Sequence, residues 1–596
     1  MLHRLALPLA ILALAPASAS AAGWLAASPV PLTSAQSADS KIAIAGSGRG
    51  AAAWLELEGT TVARIMVATY QHGSGVSAAV PLSTHNLNGY SGPELAVSPK
   101  GDTLVAWRES SSTIRAATRG PDAESFTPAT GILTTTNISR PVVATLDDGT
   151  FVIAWVDGTT VRLAVRHPGD ASFTTTTVPG LGSVHNLALA AAPGGGAALA
   201  ITDLLNGQGR LMLSIAPAGG SFGTPSVAAT VDAAADYELQ GVGLAYGAGG
   251  KLGVGFVEHH NGAGELYGLT GDANGAVGFA SPIPGTTWTS LSDVQVSFAS
   301  DGTEAIAYQG VQGAVPKGRL AVASPGGAWS TVPAWPAGVD PGAVRVASVG
   351  SQLVALSGSS GDGLAGGVVP NLASQGTAVP GSVDVVDSIA AHGADAVATV
   401  MHKADGAYHV EAFTWDGTPP VISDLTAPAS AIAGVAAPFH ASASDALSAA
   451  SVRWSFGDGE TATGDNAMHA FATAGTFTVT ATATDGAGNT TTRSADVSVA
   501  TPAPPAATKL QFLSAKVNRA HTAVRWTLNL PASVSATIKR GTRVVSVTKH
   551  RAGTAGSAGV RRSHGRPLRR GRYRIVLRAR DTSGLAATRT IKLRVR

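Results

Sequence analysis

A glycine followed six residues later by a large side chain recurs through the first two thirds of this 596-residue chain, and no other feature restricts its fold as much. The pairs are Gly48/Trp54, Gly101/Trp107, Gly149/Trp155, Gly195/Ile201, Gly250/Phe256, Gly302/Tyr308 and Gly350/Leu356, with 53, 48, 46, 55, 52 and 48 residues between successive glycines. Glycine accepts the positive φ that a tight hairpin demands, and six residues of the following strand carry the large side chain to a fixed depth. The unit is plainest in Pro93–Trp107 and Pro141–Trp155, each a strand, a glycine-containing turn and a second strand ending in tryptophan. A third strand follows (Thr113 to Thr118, Thr160 to Arg166). A Pro-x-x-x-Ser-Phe element comes next, at Pro121/Ser125/Phe126, Pro168/Ser172/Phe173 and Pro217/Ser221/Phe222.

Four strands in about 50 residues match one blade of a β-propeller. An eighth, weaker unit runs from Ser388 through Gly393 to Trp415 without an obvious fourth strand. Trp24 to Val30, ahead of the first unit, reads as the missing strand, so the ring is expected to close on the N-terminal segment. The expectation for residues 23–418 is a seven- or eight-bladed propeller. Composition agrees with an all-β chain. Hydrophobic residues make up 44% and charged residues 13%, glycine reaches 72, and almost no stretch keeps a helical period.

Residues 1–22 carry Arg4, an apolar run from Leu5 to Ala15 and small residues up to Ala22, the pattern of a secretory signal peptide cleaved near Ala19 to Ala22. No later segment is long and apolar enough to span a membrane, and the chain has no cysteine. The expected setting is secreted or cell-surface associated, with stability supplied by packing and sheet hydrogen bonds and without disulfides.

Beyond Thr418-Pro419-Pro420 the pattern changes. Trp454-Ser455-Phe456-Gly457-Asp458-Gly459, then His469-Ala470-Phe471, then the alternating run Gly475 to Asp485 closely resemble the PKD domain, an immunoglobulin-like β-sandwich of extracellular proteins. The resemblance covers residues 419–500 and implies a spacer or auxiliary binding module. Residues 501–507 form a proline-rich linker. In residues 508–596, Ala523–Leu528, Val534–Ile538 and Tyr573–Asp581 alternate again, and the stretch from Gly571 to Gly584 is similar to bacterial immunoglobulin-like or fibronectin-type modules. A second sandwich is expected there.

Charge sets this last piece apart. Residues 501–596 hold 22 Lys and Arg and one acid, Asp581, a net of +21; the other 500 residues hold 19 basic and 37 acidic, a net of −18. Arg561, Arg562, Arg566, Arg569, Arg570 and Arg572 cluster most densely and are the candidate ligands of an anionic polymer. Arg and Lys on alternating strands have a plainer use, keeping sheet edges from pairing. Aromatic residues are too sparse for single-stranded nucleic acid, so no specific nucleic acid partner is expected.

Catalytic signals are weak. Gly219-Gly220-Ser221-Phe222-Gly223 matches a nucleophile elbow, but Ser221 aligns with Ser125 and Ser172 of the repeat and reads as structural. Glu258-His259-His260 sits at a strand end, where neighbours face opposite ways, which argues against a shared metal. Glu94, Glu109, Asp157, Glu238 and Glu258 are the carboxylates a ring could gather. The expectation is a monomeric binding or adhesion protein with no cofactor, metal or catalytic residue, its partner an extracellular glycan, a cell-wall polymer or a protein. The alternative is an extracellular propeller glycoside hydrolase or polysaccharide lyase with accessory modules.

Overall fold

The computed structural model describes residues 23–25, 30–31, 36–58, 62–86, 91–128, 130–133, 137–232, 238–260, 262–312, 315–332, 342–359, 363–369, 382–404, 406–502, 509–518, 520 and 522–596. Residues 1–22, where a signal peptide is expected, lie outside them, as does most of the expected linker at 501–507. Contacts divide the chain into two compact units. The first holds nearly everything up to Ser498; the second is Val499–Arg596 with the short pieces Ile432–Gly434 and Ala472–Ala474.

The repeat folds as successive small antiparallel sheets, and their turns form where the glycines predict. Gly48, Gly101, Gly149, Gly195, Gly250, Gly302 and Gly350 all have positive φ, between 57° and 106°. In the third sheet, Val142–Thr145, Phe151–Asp157, Thr160–Arg166 and Thr174–Val178 pair in sequence order. Every residue of Phe151–Asp157 is buried, because this strand has a sheet against each face. Among the described residues, eight such sheets lie between Gly23 and Asp416. First strands of neighbouring sheets pack side by side, and that of the last, Ser382–His392, packs on that of the first, Gln36–Ile44.

An apolar layer fills each gap between sheets. Trp155 lies with Leu104 and Ile114 of the preceding sheet, Phe256 with Leu211 and Leu213, and Tyr308 with Leu266. Trp54 packs against Val397, Val410 and Ala412, so the first sheet treats the eighth as its predecessor. Polar groups seal the same seam, where Ser40 donates from N and Oγ to Asp387 Oδ2 at 2.9 and 2.6 Å. Leu356 departs from the pattern and faces the following sheet, beside Val386 and Ile389. Its hairpin turns in two residues, with Val349 paired to Gln352, whereas Thr145 pairs with Phe151 across five. With a side-chain period of two, that odd difference in length flips the face.

The N-terminal segment closes the eighth sheet. Gly23 pairs with Asp416 and Trp24 with Trp415, the indoles meet edge to face at 5.7 Å, and Leu25 N donates to Thr414 O at 2.9 Å. The edge of Ala407–Asp416 is thereby covered.

Residues 421–500 form two sheets, of three and five strands, around an aromatic core. Trp454, Phe456 and Phe471 are fully buried, and Phe439 packs on all three. His469 stacks on Phe456 at 4.0 Å and reaches Asp458 at 2.7 Å, so the separate motifs of the sequence meet in one cluster.

The C-terminal unit differs from the expected pair of sheets. Its strands Phe512–Val517, Ala523–Arg540, Arg543–Gly559, Gly571–Arg580 and Ala586–Val595 belong to one sheet. Ala523–Arg540 runs 18 residues and changes partner on the way, pairing with Phe512–Val517 through its first half and with Gly571–Arg580 through its second. Its pairing with Arg543–Gly559 slips between Thr527 and Val534, around Pro531, which has no N–H to give a ladder. The sheet bends there onto a core of Trp526, Leu528, Ile538, Tyr573, Ile575 and Leu577.

Truncating Trp24 removes an indole from the layer that holds Leu356, Val386, Phe413 and Trp415. Trp24→Ala is expected to cost about 3 kcal/mol, seen as a thermal unfolding midpoint several degrees lower, whereas exposed Phe279→Ala leaves the midpoint unchanged.

Candidate anion-binding cleft

Three of the six predicted arginines line one concavity in the C-terminal unit. Arg562, Arg566 and Arg569 form one wall together with His564; Arg540 and Arg543 form the other, over a floor that includes Tyr573, and the space is about 630 Å³. No carboxylate is among the lining residues.

Local structure builds both walls. Arg540 and Arg543 are register partners at the tip of the long hairpin, across a turn in which Gly541 has φ 63°. The opposite wall is a loop held by its own backbone. Arg562 N donates to Arg566 O at 2.8 Å, Gly565 N to Arg562 O at 3.1 Å, and His564 takes φ 68°. Arg562 Nε donates to Pro567 O at 3.0 Å, so this guanidinium is held from behind. Tyr573, 4% exposed, ties the loop to the sheet through Oη to Arg569 O at 2.8 Å. Arg540 lies over the Tyr573 ring at 5.9 Å and donates to Arg570 O at 3.3 Å. Gly571 lets it approach, since a Cβ there would stand 3.1 Å from Arg540 Nε.

The other three predicted residues lie elsewhere. Arg561 is exposed and donates to Gly565 O at 3.4 Å. Arg570 contributes its carbonyl and does not line the cleft. Arg572 belongs to the alternation in which Arg572, Arg574, Arg578 and Arg580 are exposed while Tyr573, Ile575, Leu577 and Ala579 are buried. That stripe is the solvent face of an amphipathic strand. Arg540 and Arg543 escaped the sequence reading because they stand some twenty residues from the dense cluster; the Arg-Gly-Thr-Arg tip was the available signal. A second basic groove of about 780 Å³ on the same unit is lined by Lys549, His550, Arg551, Arg578 and Arg580 among others.

In the ring, the candidate carboxylates are mostly engaged. Arg140 makes ion pairs with Glu94 at 2.5 Å and Asp39 at 2.6 Å, bridging three sheets. Glu109 pairs with Arg115 at 2.6 Å and Asp157 with Arg162 at 2.7 Å. Glu258 is the register partner of Glu265, and burial raises its pKa. The side chain of Glu238 lies outside the described residues. His259 and His260 join no metal-ligating group among the described residues. Ser221 sits in an exposed loop between two strands, without the helix an elbow requires.

One carboxyl that the sequence did not single out stands apart. Glu304 is 1% exposed, neither oxygen has a hydrogen-bond partner, and it lines a cavity of about 270 Å³ with Lys251, Phe279 and Trp329. Burial pushes its pKa up to about 8, with Lys251 opposing. It occupies the second position after a turn glycine, where Thr103 stands in the second sheet, and nothing in the repeat marks it.

Comparison with known proteins places the middle of the chain. The family described as PKD domain matches residues 417–499. No curated protein matches the sequence. Among solved structures, a PL25 ulvan lyase bound to -[GlcA(1-4)Rha3S]- is 11% identical over 55% of this chain and 93% of its own, with a TM-score of 0.37. A mutant of the NanB sialidase from Streptococcus pneumoniae is 7% identical over 49% and 68%, at 0.34. A mutant of AofleA from Arthrobotrys oligospora is 11% identical over 50% and 85%, at 0.32. At these scores the likeness assigns no activity.

The folded protein holds the Glu304 proton up to about pH 8, whereas an unperturbed glutamate loses it near 4.5. The unfolded chain therefore ionises first, and stability is full below that lower value and falls as pH rises through the interval. Thermal scans of Glu304→Gln are expected to match the parent near pH 5 and to exceed it by several degrees near pH 8.5.

Proposed function

We propose that this protein binds an acidic polysaccharide of an extracellular matrix or cell envelope through its C-terminal unit. On this reading residues 23–418 are an eight-bladed propeller, 419–500 a spacer and 508–596 a basic single-sheet binding module, exported behind a signal peptide at 1–22. The observation that carries it is the cleft of Arg540, Arg543, Arg562, Arg566 and Arg569, built by backbone hydrogen bonds and containing no acid. Guanidinium groups match carboxylate and sulfate oxygens in pairs, and they stay charged at any physiological pH. The second groove, with Lys549, Arg551, Arg578 and Arg580, favours a chain of repeating charges over a single small anion. A glycan rather than nucleic acid follows from the lining, where Tyr573 is the one aromatic residue and it is buried.

The full chain should bind heparin or polyglucuronate beads with an affinity that falls steeply with added salt. Replacing Arg562, Arg566 and Arg569 together by Gln is expected to weaken binding about tenfold or more and to flatten the salt dependence, while Arg572→Gln has little effect. Equal retention of parent and triple variant would remove the cleft from the account.

A second reading, that the ring also cleaves such a polymer, is favoured by Glu304. A carboxyl with a pKa of about 8 is protonated at neutral pH, the state a general acid needs. Glycan cleavage by the full chain on a panel of uronate and sialic acid polymers, lost in Glu304→Gln, is the expected result. Cleavage unchanged by that substitution would move the chemistry elsewhere.

A further inference from the structure

Where the last strand of the ring runs into the PKD-like module, three carboxylates converge. Asp416 ends the strand Ala407–Asp416, Asp445 follows Ala437–Ser444, and Asp485 follows Gly475–Thr484. One oxygen of each lies within 4.8 Å of the others. Asp416 has no exposed surface and Asp485 only 7%. Three carboxylates this close together, two of them buried, repel one another unless a cation or protons intervene.

A neighbouring amide points independently to a ligand. Asn489 is wholly buried, and its Nδ2 donates to Asp485 Oδ2 at 2.9 Å and to Asp416 O at 3.1 Å. Its Oδ1 meets no donor, in a place water does not reach. With the amide turned over, Oδ1 would stand beside Asp485 Oδ2 and the Asp416 carbonyl, an all-oxygen set that a cation would satisfy. The carboxylates are already aimed. Asp445 Oδ1 accepts from Leu447 N at 2.8 Å and Ser448 N at 3.0 Å, and Asp485 Oδ1 from Ala487 N at 2.9 Å and Asn489 N at 2.8 Å. Ser448 Oγ donates to Asp416 Oδ2 at 3.2 Å and accepts from Gly486 N at 2.9 Å, linking all three segments.

We propose that Asp416, Asp445, Asp485 and the Asn489 amide hold one divalent cation, and that the ion is calcium. All the donors are oxygens, which excludes a preference for zinc or copper. Their supply from three separate segments suits the larger, irregular shell of calcium better than the strict octahedron of magnesium. On this proposal the expectation of a metal-free chain is revised: the three acids are 29 and 40 residues apart in sequence, with no spacing that marks a ligand set. Since Asp416 belongs to the ring strand and the other ligands to the sandwich, the ion ties the two together. The inference stands independently of the polysaccharide reading.

Full-length protein stripped with EGTA, then titrated with CaCl₂ by calorimetry, is expected to bind one equivalent and to unfold several degrees higher. Magnesium should bind at least tenfold more weakly. Terbium at the same site should luminesce through Trp415, next to Asp416. Asp445→Asn is expected to weaken calcium binding at least tenfold, and Asp445→Lys, which supplies the charge internally, to raise the calcium-free midpoint while abolishing the calcium response. No binding by the parent at millimolar calcium, or equal binding by parent and Asp445→Asn with a native far-ultraviolet spectrum, overturns the proposal.

Discussion

Everything in the first 416 residues depends on the packing of the eighth sheet against the first. A row of sheets buried on both faces has two ends, and each end exposes an apolar layer like the one between Trp155 and Leu104. Bringing Val397, Val410 and Ala412 against Trp54 removes both ends at once. Loop-closure entropy opposes that contact between residues more than 340 apart, although it grows only with the logarithm of the separation. The N-terminal strand covers the edge of the eighth sheet at Trp415, with Trp24 packed beside Leu356 and Val386 on that sheet's other face. Without cysteine, packing and hydrogen bonds must do what a disulfide could otherwise do.

Charge is segregated along the chain with equal consistency. The ring matches its carboxylates to arginines across sheets, as Arg140 does with Asp39 and Glu94. The C-terminal unit has a single acid, Asp581, and cannot do the same. Its guanidinium groups are held by carbonyls instead, at Pro567, Gly565 and Arg570, which position them without neutralising their charge. The positive field of that unit is therefore available to a ligand.

Two acidic sites break the pattern, and both were hard to read in sequence. Glu304 occupies a repeat position that holds residues as different as Phe151, Ala197 and Gln352 in other units, and its significance rests on what packs over it. Asp416, Asp445 and Asp485 each sit at a strand end, the ordinary place for an aspartate, and only their convergence distinguishes them. For the basic cleft the reading was half complete. Local density located Arg562, Arg566 and Arg569, whereas the facing wall depended on where a long hairpin brought Arg540 and Arg543.

The sequence by itself determined the turns, the strand alternation, the aromatic motifs of the PKD-like module and the division of charge. Each of these is local, carried by a glycine that accepts positive φ or by a period of two. The tertiary structure alone decided which face Leu356 presents, why Ala523–Arg540 changes partners near Pro531, and which acids and arginines meet. Those outcomes hang on turn length, a bulge and contacts between distant segments, none of which leaves a pattern in neighbouring residues.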